Sequence, residues 1–333
     1  MTVIALILFW VTAGMLFYML VGYSIVLLAV RRLANAPVAG DYEPSVSLII
    51  PAHNEEAVIA AKLENALAID YPREKLQILV ASDGSSDNTI SLAQQYCDRG
   101  VAILDFQQRR GKASAVNDAV AQATGEVLCL CDANVMFAPD ALRRLVSWLA
   151  DDRVGAATGV VRLASEESNF GHGETFYYQL ERAIQLAESD VGSLMGVDGG
   201  MYVLRKKLFR PLPADSLLDD FAIAMQIVRQ RQRIVYDAQA FASESGTPRA
   251  MQEFRRRVRM AAGVVQVLRR GDFPSPLQPL LFWQFVSHKL LRWMGPFLLI
   301  TMIGSNAMLL SQGPVYQGAF AAQMFVYCVA VLG

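Results

Sequence analysis

The sequence predicts an α/β domain with a mostly parallel sheet, flanked by transmembrane α-helices. Three observations carry this. Short apolar, β-branched runs alternate with helix-like stretches through the middle of the chain. Residues 2–30 contain no charged side chain, and the chain after Pro296 is apolar again. Hydrophobic residues make up 53% and charged residues 18%, which sets the composition apart from an ordinary globular domain. The expected organisation is an N-terminal membrane helix over 1–32 and the α/β domain over 43–250. Basic and amphipathic interfacial helices follow over 251–295, then a membrane hairpin over 296–333.

The first apolar run, at about 1.5 Å per helical residue, can cross a hydrocarbon core about 30 Å thick. A signal peptide would start with basic residues and be shorter. Here the basic pair Arg31-Arg32 follows the run. By the positive-inside rule it sets the N-terminus outside and the next domain in the cytoplasm. At the other end, the segment 280–293 carries Trp283, Trp293, Lys289 and Arg292, a pattern that fits a helix at the water–lipid boundary. Two apolar runs follow, 296–310 and 319–332, with Gln312-Gly313-Pro314 as the turn between them. The last run has no basic residue after it, so the hairpin is expected to be incomplete. The expected setting is a membrane crossed more than once, with membrane lipids among the partners.

Net charge is -1, which excludes a general nucleic-acid binder. Basic residues are instead bunched at 109–112 and from Arg249 to Arg270, as anionic ligands or lipid headgroups require. Cys129 and Cys131 lie in an apolar run with no His/Cys set around them. Zinc and a disulfide framework are therefore not expected.

Within the central domain the strand signals are Val46-Ser-Leu-Ile-Ile50, Leu76-Gln-Ile-Leu-Val80, Val101-Ala-Ile-Leu104 and Val127-Leu-Cys-Leu-Cys131. Helical stretches lie between and after them, at 55–69, 88–97, 113–123 and 140–149. This alternation implies a sheet covered on both faces. Ligands of such sheets bind beyond the carboxyl ends of the strands. Those ends read Pro51-Ala-His-Asn54-Glu55-Glu56, Ser82-Asp83-Gly-Ser-Ser-Asp87-Asn-Thr89 and Asp132-Ala-Asn134. Neither a dinucleotide fingerprint nor a P-loop is present.

Each polar group has a functional and a structural reading. Asp83 can accept the imide N–H of a uracil base, while Gly84 and Asp87 fit turn and capping chemistry. An acid at Asp132, at the end of a buried strand, requires a partner or a cation; a divalent metal that also binds substrate phosphates is one such cation, and a loop cap is the other reading. Gly111 and Lys112 bring backbone and a cation toward phosphate, or form a solvated charge run. In Leu217-Leu-Asp219-Asp220-Phe221, Asp219 can cap a helix and Asp220 can act as a general base toward a hydroxyl. Arg256 and Arg259 share a helix face, where they can hold a diphosphate or anionic lipid.

Together these residues resemble the inverting family-2 glycosyltransferases of GT-A (Rossmann-like) fold, in particular exopolysaccharide synthases of the cellulose, hyaluronan and poly-N-acetylglucosamine type. The order and spacing of the motifs from Pro51 to Met260 carry the likeness. It implies a nucleotide pocket lined by Pro51, Asn54, Glu55 and Asp83, with Lys112 reaching the donor's phosphates or sugar. Asp132, with Asn134, would hold Mg²⁺ or Mn²⁺ on the diphosphate. Gly199 and Gly200 would form the acceptor-terminus loop. Asp220, beside Asp219, would be the base, and Arg256 and Arg259 would close over the diphosphate. Two positions depart from the family: Asn134 stands where a second Asp is usual, and Met260 where a Trp helps form the acceptor site. The implied reaction moves a sugar from a nucleotide-sugar, UDP-linked by the likeness, to a glycan acceptor, and polysaccharide-secretion partners would accompany it. Two alternatives stay open: transfer of one sugar to a lipid, and a non-catalytic membrane module that senses nucleotide-sugars.

Overall fold

The computed structural model describes residues 2–163, 172–244 and 250–332. Arg249, which opens the second basic stretch, lies outside the described residues. The chain forms two compact units, Val30–Phe282 on one hand and Met1–Ala29 with Trp283–Gly333 on the other.

The chain opens with α1 (Thr2–Phe17) and α2 (Tyr23–Arg31), which a π-helical turn at Tyr18–Gly22 joins into one helix. Thr2–Arg31 is, among the described residues, the one helix long and apolar enough to cross a membrane.

The larger unit is built on eight strands: β1 (Val46–Ala52), β2 (Leu76–Asp83), β3 (Val101–Phe106), β4 (Val127–Cys131), β5 (Val135–Phe137), β6 (Val154–Leu163), β7 (Met201–Arg205) and β8 (Arg233–Glu244). Its helices are α3 (Ile59–Leu67), α4 (Thr89–Gln94), α5 (Lys112–Gln122), α6 (Ala141–Ser147), α7 (His172–Val191), α8 (Asp219–Arg229) and α9 (Ala250–Arg270). One sheet contains all eight strands in the order β3-β2-β1-β4-β7-β6-β8-β5. The four strands expected from the sequence, β1 to β4, are parallel neighbours. The rest corrects "mostly parallel" to mixed: β7 runs antiparallel to β4 and β6, and β5 antiparallel to β8. These later strands lack a clean apolar signature. β5 is three residues long, and β6 and β8 pair with register shifts.

Leu48, Ile50, Ile78, Val80, Cys129 and Cys131 form the centre of one buried face, against Leu63 of α3 and Leu142 of α6. The small residues Ala115, Val116 and Ala119 of α5 are buried, and this helix packs on β1 and β2. Burial pushes the Cys129 thiol well above the ordinary range and raises that of Cys131 as well. In register, Ala52 lies beside Ser82 and Ile49 beside Leu130. The polar ends of β1, β2 and β4 therefore finish side by side, which is what gathers the site.

In the smaller unit, α10 (Pro279–Phe285), a π-helical turn at Val286–Leu290 and α11 (Leu291–Ala307) run on as a single helical stretch, with α12 (Pro314–Leu332) after Gly313. The expected interfacial segment and first apolar run are thus one helical stretch; Pro296 lies inside α11 without ending it. Ala5, Phe9 and Leu309 pack together, and the Phe9 ring meets Tyr316 edge-on. Trp283 Nε1 donates to Tyr18 Oη at 2.9 Å, and Tyr18 Oη is also 2.9 Å from Ser287 Oγ.

Candidate active site

One cleft of about 730 Å³ opens at the carboxyl ends of the strands, and it is lined by every residue singled out from the sequence except Asn54. Asn54 sits instead in the left-handed region at φ 57°. Its Oδ1 accepts from Ser86 N at 2.8 Å. With Glu55 N donating to Thr89 Oγ1 and Glu56 N to Asp87 Oδ2, it laces the loop after β1 to the loop after β2. Asp87 also takes Thr89 N at 3.0 Å, but the cap position of α4 is Asn88, with no side-chain capping bond, so Asp87 braces the turn and does not cap the helix.

Asp83 is 4% exposed, and both of its oxygens are engaged. Oδ1 accepts Arg110 N and Oδ2 accepts Gly111 N, each at 2.7 Å. The carboxylate therefore folds the 109–112 turn over the cleft, and a base would have to share its remaining lone pairs. Gly84 makes this possible. It has φ 65°, and a Cβ there would lie 2.6 Å from Arg109 N, so the two turns touch backbone to backbone.

That turn delivers Lys112, the first residue of α5, into a group of carboxylates. Its Nζ is 2.8 Å from Asp132 Oδ1 and 3.4 Å from Asp219 Oδ2. Burial acts to lower the lysine's pKa. Asp132 and Asp219 act the other way and prevail, holding it above the ordinary lysine value. Asp219 and Asp220 open α8, where negative charge is stabilised by the helix dipole. The cap position belongs to Leu218, with no side-chain capping bond. The capping reading of Asp219 therefore fails, and its carboxylate faces Lys112. Asp220 Oδ1 accepts Phe221 N at 2.7 Å. Its pKa is raised by burial and then by the neighbouring Asp219. Glu55 is likewise raised, by burial and then by Asp132 and Asp87.

The backbone at Gly199 runs against Asp220: a Cβ at Gly199 would lie 2.9 Å from Asp220 Oδ2. Two further acids line this part of the cleft, and sequence reasoning missed both. Asp198 accepts Gly200 N at 3.0 Å; burial is the main cause lifting its pKa to about 6, with Asp220, Asp132 and Glu244 adding to it. Glu244, the last residue of β8, accepts Asn134 Nδ2 at 3.1 Å. An acid directly before Gly199-Gly200 was a readable signal for Asp198. Glu244 had none, because β8 was not recognised as a strand. Arg256, Arg259 and Met260 of α9 complete the lining.

A divalent cation fits this donor set in one way. No group of three His, Cys, Asp or Glu able to hold a metal occurs among the described residues. Asp132 offers a carboxylate at the cleft, and the other oxygens would come from a diphosphate and water. Mg²⁺ is commonly held in this manner, by one or two carboxylates plus substrate phosphates.

Fold and cleft together define a domain of GT-A (Rossmann-like) type, and the comparisons agree. The model of "Glycosyl transferase family 2" matches residues 47–212. Those residues thus form a glycosyl transferase family 2 domain. Over 254 residues it is 28% identical to the poly-beta-1,6-N-acetyl-D-glucosamine synthase of Staphylococcus aureus. That match covers 73% of this chain and 61% of the relative, so the chain spans only part of the synthase's length. Among solved structures, the mannosyltransferase PcManGT from Pyrobaculum calidifontis, in complex with GDP-Man and Mn2+, superposes with a TM-score of 0.73 at 24% identity, covering 97% of this chain and 98% of that one. S. aureus TarS 1-349 with UDP-GlcNAc gives a TM-score of 0.52 at 14% identity, covering 83% of each chain. These two likenesses concern the fold.

Proposed function

We propose that the chain transfers a sugar from a nucleoside-diphosphate-sugar to a hydroxyl of a glycan acceptor, with inversion at the anomeric carbon. The observation that carries this is Lys112 held between Asp132 and Asp219, next to the raised carboxylate of Asp220. Asp220 takes the proton of the acceptor hydroxyl as that oxygen attacks the anomeric carbon in line. Its raised pKa makes it a better proton acceptor than an ordinary carboxylate. Lys112, Arg256 and Arg259 stabilise the charge that grows on the departing diphosphate. Such preorganised electrostatics is often the largest catalytic contribution. A divalent cation at Asp132, Mg²⁺ or Mn²⁺, would add Lewis-acid stabilisation of the same oxygens; the Mn2+ in the PcManGT complex supports it. Pro51, Glu55 and Asp83 form the end of the cleft that receives the nucleotide, and Gly199, Gly200 and Met260 the end that receives the acceptor.

UDP-GlcNAc in the TarS complex supports a UDP-sugar donor, and GDP-Man in PcManGT keeps a GDP-sugar in the comparison. Met260, in place of a Trp, favours keeping a second reading: transfer of a single sugar to a lipid acceptor. We place the enzyme in the membrane as a multi-pass protein with its transferase domain in the cytoplasm. Thr2–Arg31 with the Arg31-Arg32 flank supports the membrane anchor and the side on which the domain lies. Lipids would be partners on this reading, and secretion proteins would be partners if the product is a polymer.

The test is a panel of radiolabelled UDP- and GDP-sugars supplied to membranes containing the chain, with products sized. A ladder supports polymer synthesis, and a single glycolipid supports the second reading. Sugar-nucleotide binding without any product would overturn both in favour of a sensing module.

A further inference from the structure

Lys62 on α3 is completely buried, 0% exposed, and takes no part in the mechanism above. Its Nζ donates to Val135 O at 2.5 Å and stands 4.4 Å from the centre of the Phe137 ring. One turn further along α3, Asn65 Oδ1 accepts Phe137 N at 2.8 Å and Asn65 Nδ2 donates to Phe137 O at 2.9 Å. Both side chains therefore hold β5, and β5 follows Asp132-Ala-Asn134 without a break.

β5 is the end strand of the sheet. One edge pairs with β8. A free edge presents unpaired backbone groups, and buried ones must find partners. Here Val135 N takes Asp132 O at 3.3 Å, and Lys62 and Asn65 take Val135 O and both polar groups of Phe137. Side chains of α3 do the work of a missing ninth strand. A three-residue strand has little pairing of its own, so these bonds fix where the turn before it sits. Val135 itself lines the cleft: Lys62 grips from behind a residue whose other side faces the ligand.

The choice of lysine also calls for a cause. An asparagine can satisfy a carbonyl, as Asn65 does, whereas burying a cation costs several kcal/mol unless negative charge offsets it. The turn held by Lys62 carries Asp132 and, on the reading above, receives a diphosphate.

We propose that Lys62 and Asn65 are positioning residues that set the affinity of the Asp132–Asn134 turn for the donor's diphosphate and its cation. This rests on the transferase reading. The experiment measures UDP and GDP affinity in the presence of Mn²⁺, together with thermal midpoints, for the full chain in detergent. The variants are Lys62→Met, Asp132→Ala and the double variant. Supporting groups behind metal ligands typically change affinity about 10–100-fold, so Lys62→Met should weaken binding by at least about tenfold. Its thermal midpoint should fall modestly, because Val135 O loses its donor, so affinities are compared at a temperature where every variant is folded. In the Asp132→Ala background the same change should add almost nothing. Wild-type affinity in Lys62→Met, or an undiminished further loss on top of Asp132→Ala, overturns the inference and leaves the transferase reading intact. If Lys62→Met does not fold, Asn65→Ala carries the same expectations. If the wild-type chain binds neither nucleotide, the transferase reading fails. Hydrogen exchange across residues 132–137 then decides the clamp: faster exchange in Lys62→Met supports it, and unchanged exchange refutes it.

Discussion

Lys112 Nζ lies 2.8 Å from Asp132 Oδ1, although Lys112 follows β3 and Asp132 follows β4, two strands that the parallel order β3-β2-β1-β4 holds apart by two others. The pair, with Asp219 on its other side, sets the charge balance of the cleft. A cation already stands where a phosphate would arrive, and three carboxylates keep it charged.

Lys112→Met should therefore lower kcat by about 10²–10³, the usual cost of one donor to developing charge. Nucleoside-diphosphate affinity should fall as well, because Asp132 and Asp219 would face the phosphates uncompensated. Steady-state kinetics alongside calorimetric UDP or GDP binding separates the two effects. Unchanged kcat would remove Lys112 from the mechanism.

Gly199→Ala tests the packing of backbone against the base. The added methyl would stand 2.9 Å from Asp220 Oδ2, closer than carbon and oxygen pack, so the carboxylate must move. Small displacements of a reacting group can cost about 10² in rate. The expected result is a loss in kcat of that order with donor affinity kept. Equal kcat in the variant would show that Asp220 does not act from its observed position.

Asp83→Asn should affect stability and the donor end of the cleft together. Asp83 accepts two backbone N–H groups; an amide can present an oxygen to only one of them. Leaving a buried donor unsatisfied costs about 1–3 kcal/mol. The thermal midpoint should drop and the donor KM should rise, with kcat least affected. A variant with wild-type midpoint and KM would contradict this role.

The acids beside Gly199 imply a pH dependence. The pKa of Asp198 is about 6 in the folded chain, above the ordinary value of about 3.9. Between roughly pH 4 and 6 the folded state holds the extra proton, so its stability falls as pH rises through that window and levels off above it. Asp198→Asn should reduce that slope, leaving the share of the other raised acids, Asp220 and Glu55; the amide oxygen can still accept Gly200 N. Thermal midpoints recorded from pH 4 to 7.5 give the answer. A wild-type slope retained in the variant would assign it to another group.

Much of this was legible before the structure. Val46 to Ile50 and Val127 to Cys131 are continuous apolar runs, and their ends are polar. Strand position and site position could therefore be read together. The reading failed where tertiary contact overrides pattern. Asp219 looks like a cap but faces Lys112. Asn54 looks like a ligand but ties two loops. Lys62 was not singled out within the helical stretch 55–69, and the free edge of β5 accounts for its burial. β6 and β8 were unreadable because bulged pairing breaks their alternation, and Glu244 was lost with them.

The central claim is that Asp220 is the base of a sugar transfer performed in this cleft. Asp220→Asn keeps size and the acceptor for Phe221 N but loses the proton acceptor. With the donor sugar identified from the panel, the account predicts about 10²–10⁴-fold slower transfer and unchanged affinity for the nucleoside diphosphate. Transfer at the wild-type rate by Asp220→Asn would contradict it.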